Sequence, residues 1–255
     1  MMLSLNFKAR VPVFDANVRV GDRRDEVSSC RNREQLLAEM DRHGVEQALI
    51  YHAQTELLSP IDGNVFLEDW LGENGRLHPQ WSLGPTADSL AQIKALHAQG
   101  RVRSVRLHDA RQSGLPLRPW AYDEALTWLS DNNIPLWILL TDSDANDIMD
   151  TLQAFPKLVT VLIGAHYSHH LWTRPFLKHL PNSYLELSRY EPLGQFEALR
   201  DEFGAERLVY GSWHSRYVMG PILFYLHQTD FSQSELELVC AGNVERILRG
   251  EGRND

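Results

Sequence analysis

Residues 13–21 read Val-Phe-Asp-Ala-Asn-Val-Arg-Val-Gly. The run is short and mostly apolar, and a glycine stops it, which is the pattern of a buried strand entering a turn. Successive side chains of a strand point to opposite faces, so Asn17 and Arg19 share one face. An amide and a guanidinium side by side in an otherwise apolar strand need a reason, and the rest of the chain supplies the context.

Apolar runs recur at 11–18, 47–51, 80–83, 102–107, 136–140, 158–163, 184–187 and 208–210. Helical patterns lie between them at 34–43, 64–74, 89–99, 122–132 and 145–155, and 232–249 continues helical at the end. Ala125, Leu126 and Leu129 have the three-or-four spacing of one buried helical stripe. Gly44, Gly100 and Pro156 read as helix stops. Strands apolar at nearly every residue indicate a parallel sheet covered by helices. Eight strands alternating with helices, with no repeat or linker, predict a (β/α)8 TIM barrel over 1–255, with its core at 11–249 and a frayed tail at 250–255. A doubly wound open sheet is the rival, weakened because no Gly-x-Gly-x-x-Gly follows the first strand.

The bulk numbers agree with one soluble domain. The chain has 255 residues, 43% hydrophobic and 23% charged. A net charge of −9 argues against nucleic acid as a partner, which needs a basic face. There is no apolar run long enough to span a membrane and no signal-peptide core in the first ten residues. The two cysteines, Cys30 and Cys240, form no ligand-type pair, so a reduced cytoplasmic protein is expected.

Several segments in chain order carry a family likeness. Gly63-Asn64 opens a helix after the second strand, and Val105-Arg106-Leu107-His108 forms the fourth. Ile163-Gly164-Ala165-His166 ends the sixth, Leu185-Glu186-Leu187-Ser188 forms the seventh, and Arg207-Leu208-Val209-Tyr210-Gly211-Ser212 the eighth. Ala241-Gly242-Asn243-Val244-Glu245-Arg246-Ile247-Leu248 follows as the closing helix. With residues 13–21, these resemble the amidohydrolase-2 family of metal-dependent TIM-barrel hydrolases, over roughly residues 11–249. The resemblance implies a divalent metal such as zinc, hydrolytic or lyase chemistry on a small molecule, and a homodimer.

The metal ligands do not carry over. The family writes its first strand Phe-Asp-x-His-x-His-x-Gly, and the two histidine places are Asn17 and Arg19 here. The fifth strand ends Ile138-Leu139-Leu140, and Trp213 stands where the resemblance places a metal-binding aspartate. Only His166 matches. A catalytic zinc needs three or more protein donors and an open position. No metal cofactor is therefore expected, unless His166 joins His52, His108 or His214 in another arrangement.

The strand ends at the barrel mouth hold the remaining chemistry. Arg106 and His108 share a face, and a buried Arg106 would need an anionic partner such as Glu186. His52, His166 and His214 follow the second, sixth and eighth strands, with Tyr51, Trp81, Tyr167 and Trp213 as aromatic walls. In a functional reading Arg19 replaces the metal as electrophile, His166 or His214 is the general base, and Asn17, Arg106, His108, Trp213 and His52 bind a small anionic substrate. In a structural reading Arg19 pairs with Asp15 or Glu186 as a plug in a barrel that binds ligands or partners without catalysis. His166 with His170 has helical spacing but reads as surface, and Asp142 and Asp144 read as a loop and a helix cap. Arg23-Arg24-Asp25-Glu26 reads as a solvated loop.

Overall fold

The computed structural model describes residues 7–22, 30–56, 59–108, 114–141 and 143–251. Asp142, the 23–26 run and most of the 250–255 tail lie outside them. The strands are β1 (Phe14–Val20), β2 (Gln47–His52), β3 (Leu77–Pro79), β4 (Trp81–Leu83), β5 (Val105–Leu107), β6 (Leu136–Leu139), β7 (Thr160–Ile163), β8 (Ser183–Glu186) and β9 (Leu208–Val209). All pair in parallel, in the orders β1-β2-β3 and β4-β5-β6-β7-β8-β9.

The two sheets are one TIM barrel. Pro79 interrupts the third position, since proline has no N–H for the ladder. The Gln80 amide restores it by donating to the Ile50 carbonyl at 2.8 Å. At the other seam Ala16 N donates to Tyr210 O at 3.1 Å, Arg19 N donates to His214 O, and Val18 bridges His214. The rival open sheet is excluded by this closure.

Strand alternation sorts the core into two shells. Leu49, Trp137, Val161, Ile163, Tyr184 and Val209 pack together inside the barrel. Their neighbours Leu136, Ile138, Leu162, Leu185 and Leu208 face the helices. Val244, Ile247 and Leu248 of helix α10 (Asn243–Leu248) join the inner shell and close the N-terminal end of the barrel. Each fully buried side chain of this size contributes about 1.5–3 kcal/mol. The polar contents of the other end are held on this apolar floor.

The helices follow local rules. Helix α1 (Arg33–His43) starts at Asn32, whose side chain accepts from Gln35 N, and ends at Gly44 with φ 75°. Helix α5 (Ala145–Ala154) starts at Asp144, which accepts from Asn146 N. The closing region 232–249 is interrupted: a five-residue π turn, Leu238–Gly242, precedes α10. Among the described residues no helix is long and apolar enough to cross a membrane.

Candidate functional site

The pairing of β1 with β2 slips between Asp15 and Val18, a bulge that inserts a residue and re-aims the side chains after it. Phe14 and Ala16 face the inner shell, and Val18 and Val20 face the helices. Asn17 and Arg19 are thereby turned into the mouth end, where both are buried.

Asn17 bridges two strands that do not touch its own. Its Oδ1 accepts from the Arg106 guanidinium at 3.1 Å, and its Nδ2 donates to Glu186 Oε2 at 3.3 Å. Arg106 and Glu186 are therefore linked through an amide. Glu186 also receives Ser188 Oγ at 2.9 Å, Ser188 N at 2.8 Å and Gly164 N at 3.4 Å. Burial drives its carboxyl up from 4.5 to about 7 despite these donors. Asp15 is likewise pushed up by burial, to about 6, while accepting from Ser212 N and Asn17 N.

Tyr51 organises the other half of the site. The Arg106 guanidinium carbon lies 3.8 Å from its ring centre, a cation–π contact in a dry setting. Its hydroxyl donates to Glu56 Oε1 and accepts from Trp213 Nε1, both at 2.9 Å. Burial holds its phenol well above the ordinary range. Arg19 meets the same carboxylate, with Nη1 3.4 Å from Glu56 Oε2. Among the described residues Arg19 thus pairs with Glu56, on the short 3-10 turn Ala53–Glu56 after β2, rather than with Asp15 or Glu186.

Trp213 fastens this network from above. It has φ 52° and is almost fully buried. Its ring edge lies against Gly164, where an added Cβ would stand 2.9 Å from Cζ3. Only a residue without a side chain accommodates the indole there.

The histidines are placed differently. Strand alternation sends Tyr51 inward and His52 outward, where His52 stacks on Phe66 at 5.4 Å. Burial lowers its pKa to about 4, favouring the neutral ring. In the same way Trp213 turns inward and His214 outward, where burial lowers its pKa with Glu39 and His43 of α1 nearby. His166 is half-buried, and its Nδ1 accepts from Ser168 N at 3.4 Å, capping the turn Tyr167–His169. His108 continues β5 at the mouth, its amide bonded to Leu83 O at 2.8 Å. Trp81 belongs to the outer shell, donating to Arg101 O. The structure therefore gathers Asn17, Arg19, Arg106 and Trp213 into one network, adds Glu186, Tyr51 and Glu56, and leaves His52 and His214 outside it.

This donor set does not fit a catalytic metal. The two first-strand places hold a neutral amide and a permanent cation, both already engaged, and Trp213 is an indole donor. Among the described residues no group of three or more His, Cys, Asp or Glu side chains could hold a metal ion.

A parallel eight-position barrel with a polar C-terminal mouth is the class of protein that fold and site define. A family model described as amidohydrolase matches residues 30–250, and the chain belongs to that family. The match begins after β1, the strand in which the metal pair is replaced. No curated protein matches the sequence. Among solved structures, an uncharacterised TIM-barrel protein of Bordetella bronchiseptica, Bb4693, has a TM-score of 0.74 at 17% identity, covering 94% of this chain and 99% of that one. The 5-carboxyvanillate decarboxylase LigW of Sphingomonas paucimobilis has a TM-score of 0.70 at 15% identity, with the same coverage. A 2,6-dihydroxybenzoate decarboxylase from Rhizobium has 0.71 at 12%, again covering 94% and 99%. At these identities the likeness is one of fold.

Proposed function

We propose that this barrel is a metal-independent binding protein for a small carboxylate-bearing molecule, which it holds at the mouth through Arg19. The observation that carries this reading is the Arg19–Glu56 pair: the guanidinium is 2% exposed and the carboxylate 19%. A buried arginine facing a rim carboxylate is a site where an incoming carboxylate can take the place of Glu56. Two proteins of the same fold are named as decarboxylases of hydroxylated benzoic acids, so that class supplies the first probes.

The test is calorimetric titration of metal-analysed protein with 2,6-dihydroxybenzoate. Binding without turnover is expected, and Arg19→Met should weaken it by about tenfold or more, as loss of a charge-assisted hydrogen bond does. Chelator should leave both binding and melting temperature unchanged. Stoichiometric zinc or manganese in the purified protein, lost with activity on chelation, would sink the reading.

Glu186 favours a second reading, hydrolase or lyase chemistry without a metal on the same substrates. A carboxyl raised to about 7 can hold or release a proton near neutrality. Turnover of a hydroxylated benzoic acid that disappears in Glu186→Gln would establish it. His166, engaged with its own turn, is a minor contributor in either reading, and His166→Ala should change affinity less than threefold.

A further inference from the structure

Arg216 is exposed at the mouth, three residues after Trp213. Among the described residues it has no ion pair and no hydrogen bond, and its guanidinium carbon lies 4.8 Å from the centre of the Trp213 ring. The setting makes this informative. The chain carries a net charge of −9, and Arg189, the neighbouring arginine over Tyr217, is matched with Glu191. An arginine left unmatched in an acidic protein, over the one indole that caps the interior network, is a free anion receptor.

Its surroundings extend the pattern. Trp213 and Tyr217 have ring centres 5.7 Å apart, and Arg189 lies 4.3 Å over Tyr217 while pairing with Glu191 at 3.5 Å. Tyr167 and Val218, on the turns after β7 and β9, are each more than half exposed. Among the described residues this part of the rim therefore combines the unpaired guanidinium of Arg216 with exposed apolar and aromatic surface. A guanidinium lying over a ring uses its face and keeps its N–H fork for a coplanar acceptor. A carboxylate attached to an aromatic ring satisfies both features at once.

We propose that Arg216, backed by Trp213, is an outer recognition site for the carboxylate of an aromatic acid, above the buried Arg19. This rests on the binding reading given above, and it adds a second carboxylate-recognising group on the way in. It assigns to Arg216 the choice of an anionic over a neutral aromatic ligand. Long-range attraction to this cation is screened by salt, so it also makes association ionic-strength dependent.

Stopped-flow and calorimetric titrations with benzoate, and with benzamide as its uncharged counterpart, test it on the full chain. Benzoate should bind, benzamide should bind at least tenfold more weakly, and Arg216→Gln should erase most of that preference by about tenfold in benzoate affinity, the effect of one charge-assisted pair. Arg216→Lys should recover part of it and restore the salt dependence of the association rate. Because Arg216 is exposed, both variants should melt as wild type does. Equal benzoate binding by wild type and Arg216→Gln overturns the proposal. Loss in Arg19→Met with no change in Arg216→Gln leaves the mouth reading standing alone. Loss in Arg216→Gln with no change in Arg19→Met does the reverse. If wild type does not prefer benzoate to benzamide, the outer site is refuted.

Discussion

Glu186→Leu is expected to destabilise the fold by on the order of 3–5 kcal/mol, because it strips a buried network of its acceptor. Asn17 Nδ2, Ser188 Oγ, Ser188 N and Gly164 N all point at this carboxylate, and the leucine leaves them facing a methyl group. Glu186→Gln keeps an acceptor oxygen and should cost less. The same carboxyl gives stability a definite pH dependence. Its pKa is raised by burial from 4.5 to about 7, and that of Asp15 from 3.8 to about 6. At these two carboxyls the folded chain therefore binds protons more tightly than the unfolded one. Their contribution is complete below the ordinary carboxylate range and is lost as pH rises through about 6 and then about 7. The lowered pKa values of His52 and His214 act in the opposite sense between about pH 4 and 6.5, so the carboxyl share is read by difference: in urea unfolding from pH 4 to 8, wild type should lose about 3 kcal/mol relative to Glu186→Gln. In Glu186→Gln that share disappears while the Asp15 and histidine parts remain. The same pH profile in wild type and Glu186→Gln would contradict the buried, raised carboxyl.

Gly164→Ala is expected to be nearly as damaging. Gly164 has φ 69°, a left-handed conformation in which a β-carbon costs roughly 1–2 kcal/mol. The new methyl would also stand 2.5 Å from Leu139 Cδ1 and 2.9 Å from the Trp213 ring. Overpacking of this kind adds about 1–3 kcal/mol, so a total loss of about 2–5 kcal/mol is expected in denaturant titration. Pairing it with Trp213→Phe separates the two causes. The smaller ring relieves the indole contact and should recover part of the loss, while the backbone share remains. If Gly164→Ala is as stable as wild type, the indole does not rest where the structure places it.

The barrel was legible because short apolar runs and helical patterns alternate from 11 to 249, and parallel strands buried on both faces read as continuous apolar runs. The lost metal pair was legible for a local reason: Asn17 and Arg19 sit in an otherwise intact strand motif. What the sequence concealed depends on direction. His52 and His214 each follow an inward residue, Tyr51 and Trp213, and a shift of one place exchanges the two faces. Reading β2 from Leu49 of the inner shell gives Tyr51 inward and His52 outward. Glu56 was hidden more deeply. It belongs to a 3-10 turn with no periodicity, and only the folded chain brings it beside Arg19. The link between Arg106 and Glu186 was half readable: their strands were identified, but the amide between them comes from a third strand.

That amide also bears on the history of the site. Asn17 is committed on both sides, accepting from Arg106 and donating to Glu186, while Trp213 is tied to Tyr51. Restoring a histidine at position 17 alone would break both of those bonds and gain no cation. A histidine at position 19 would remove the Arg19–Glu56 ion pair, and an aspartate at 213 would leave Tyr51 without its indole donor. Each of these single changes is expected to lower stability, a loss that denaturant titration would measure. Positions 17, 19 and 213 are therefore coupled through one buried network, and a change at any one of them is felt at the others' partners.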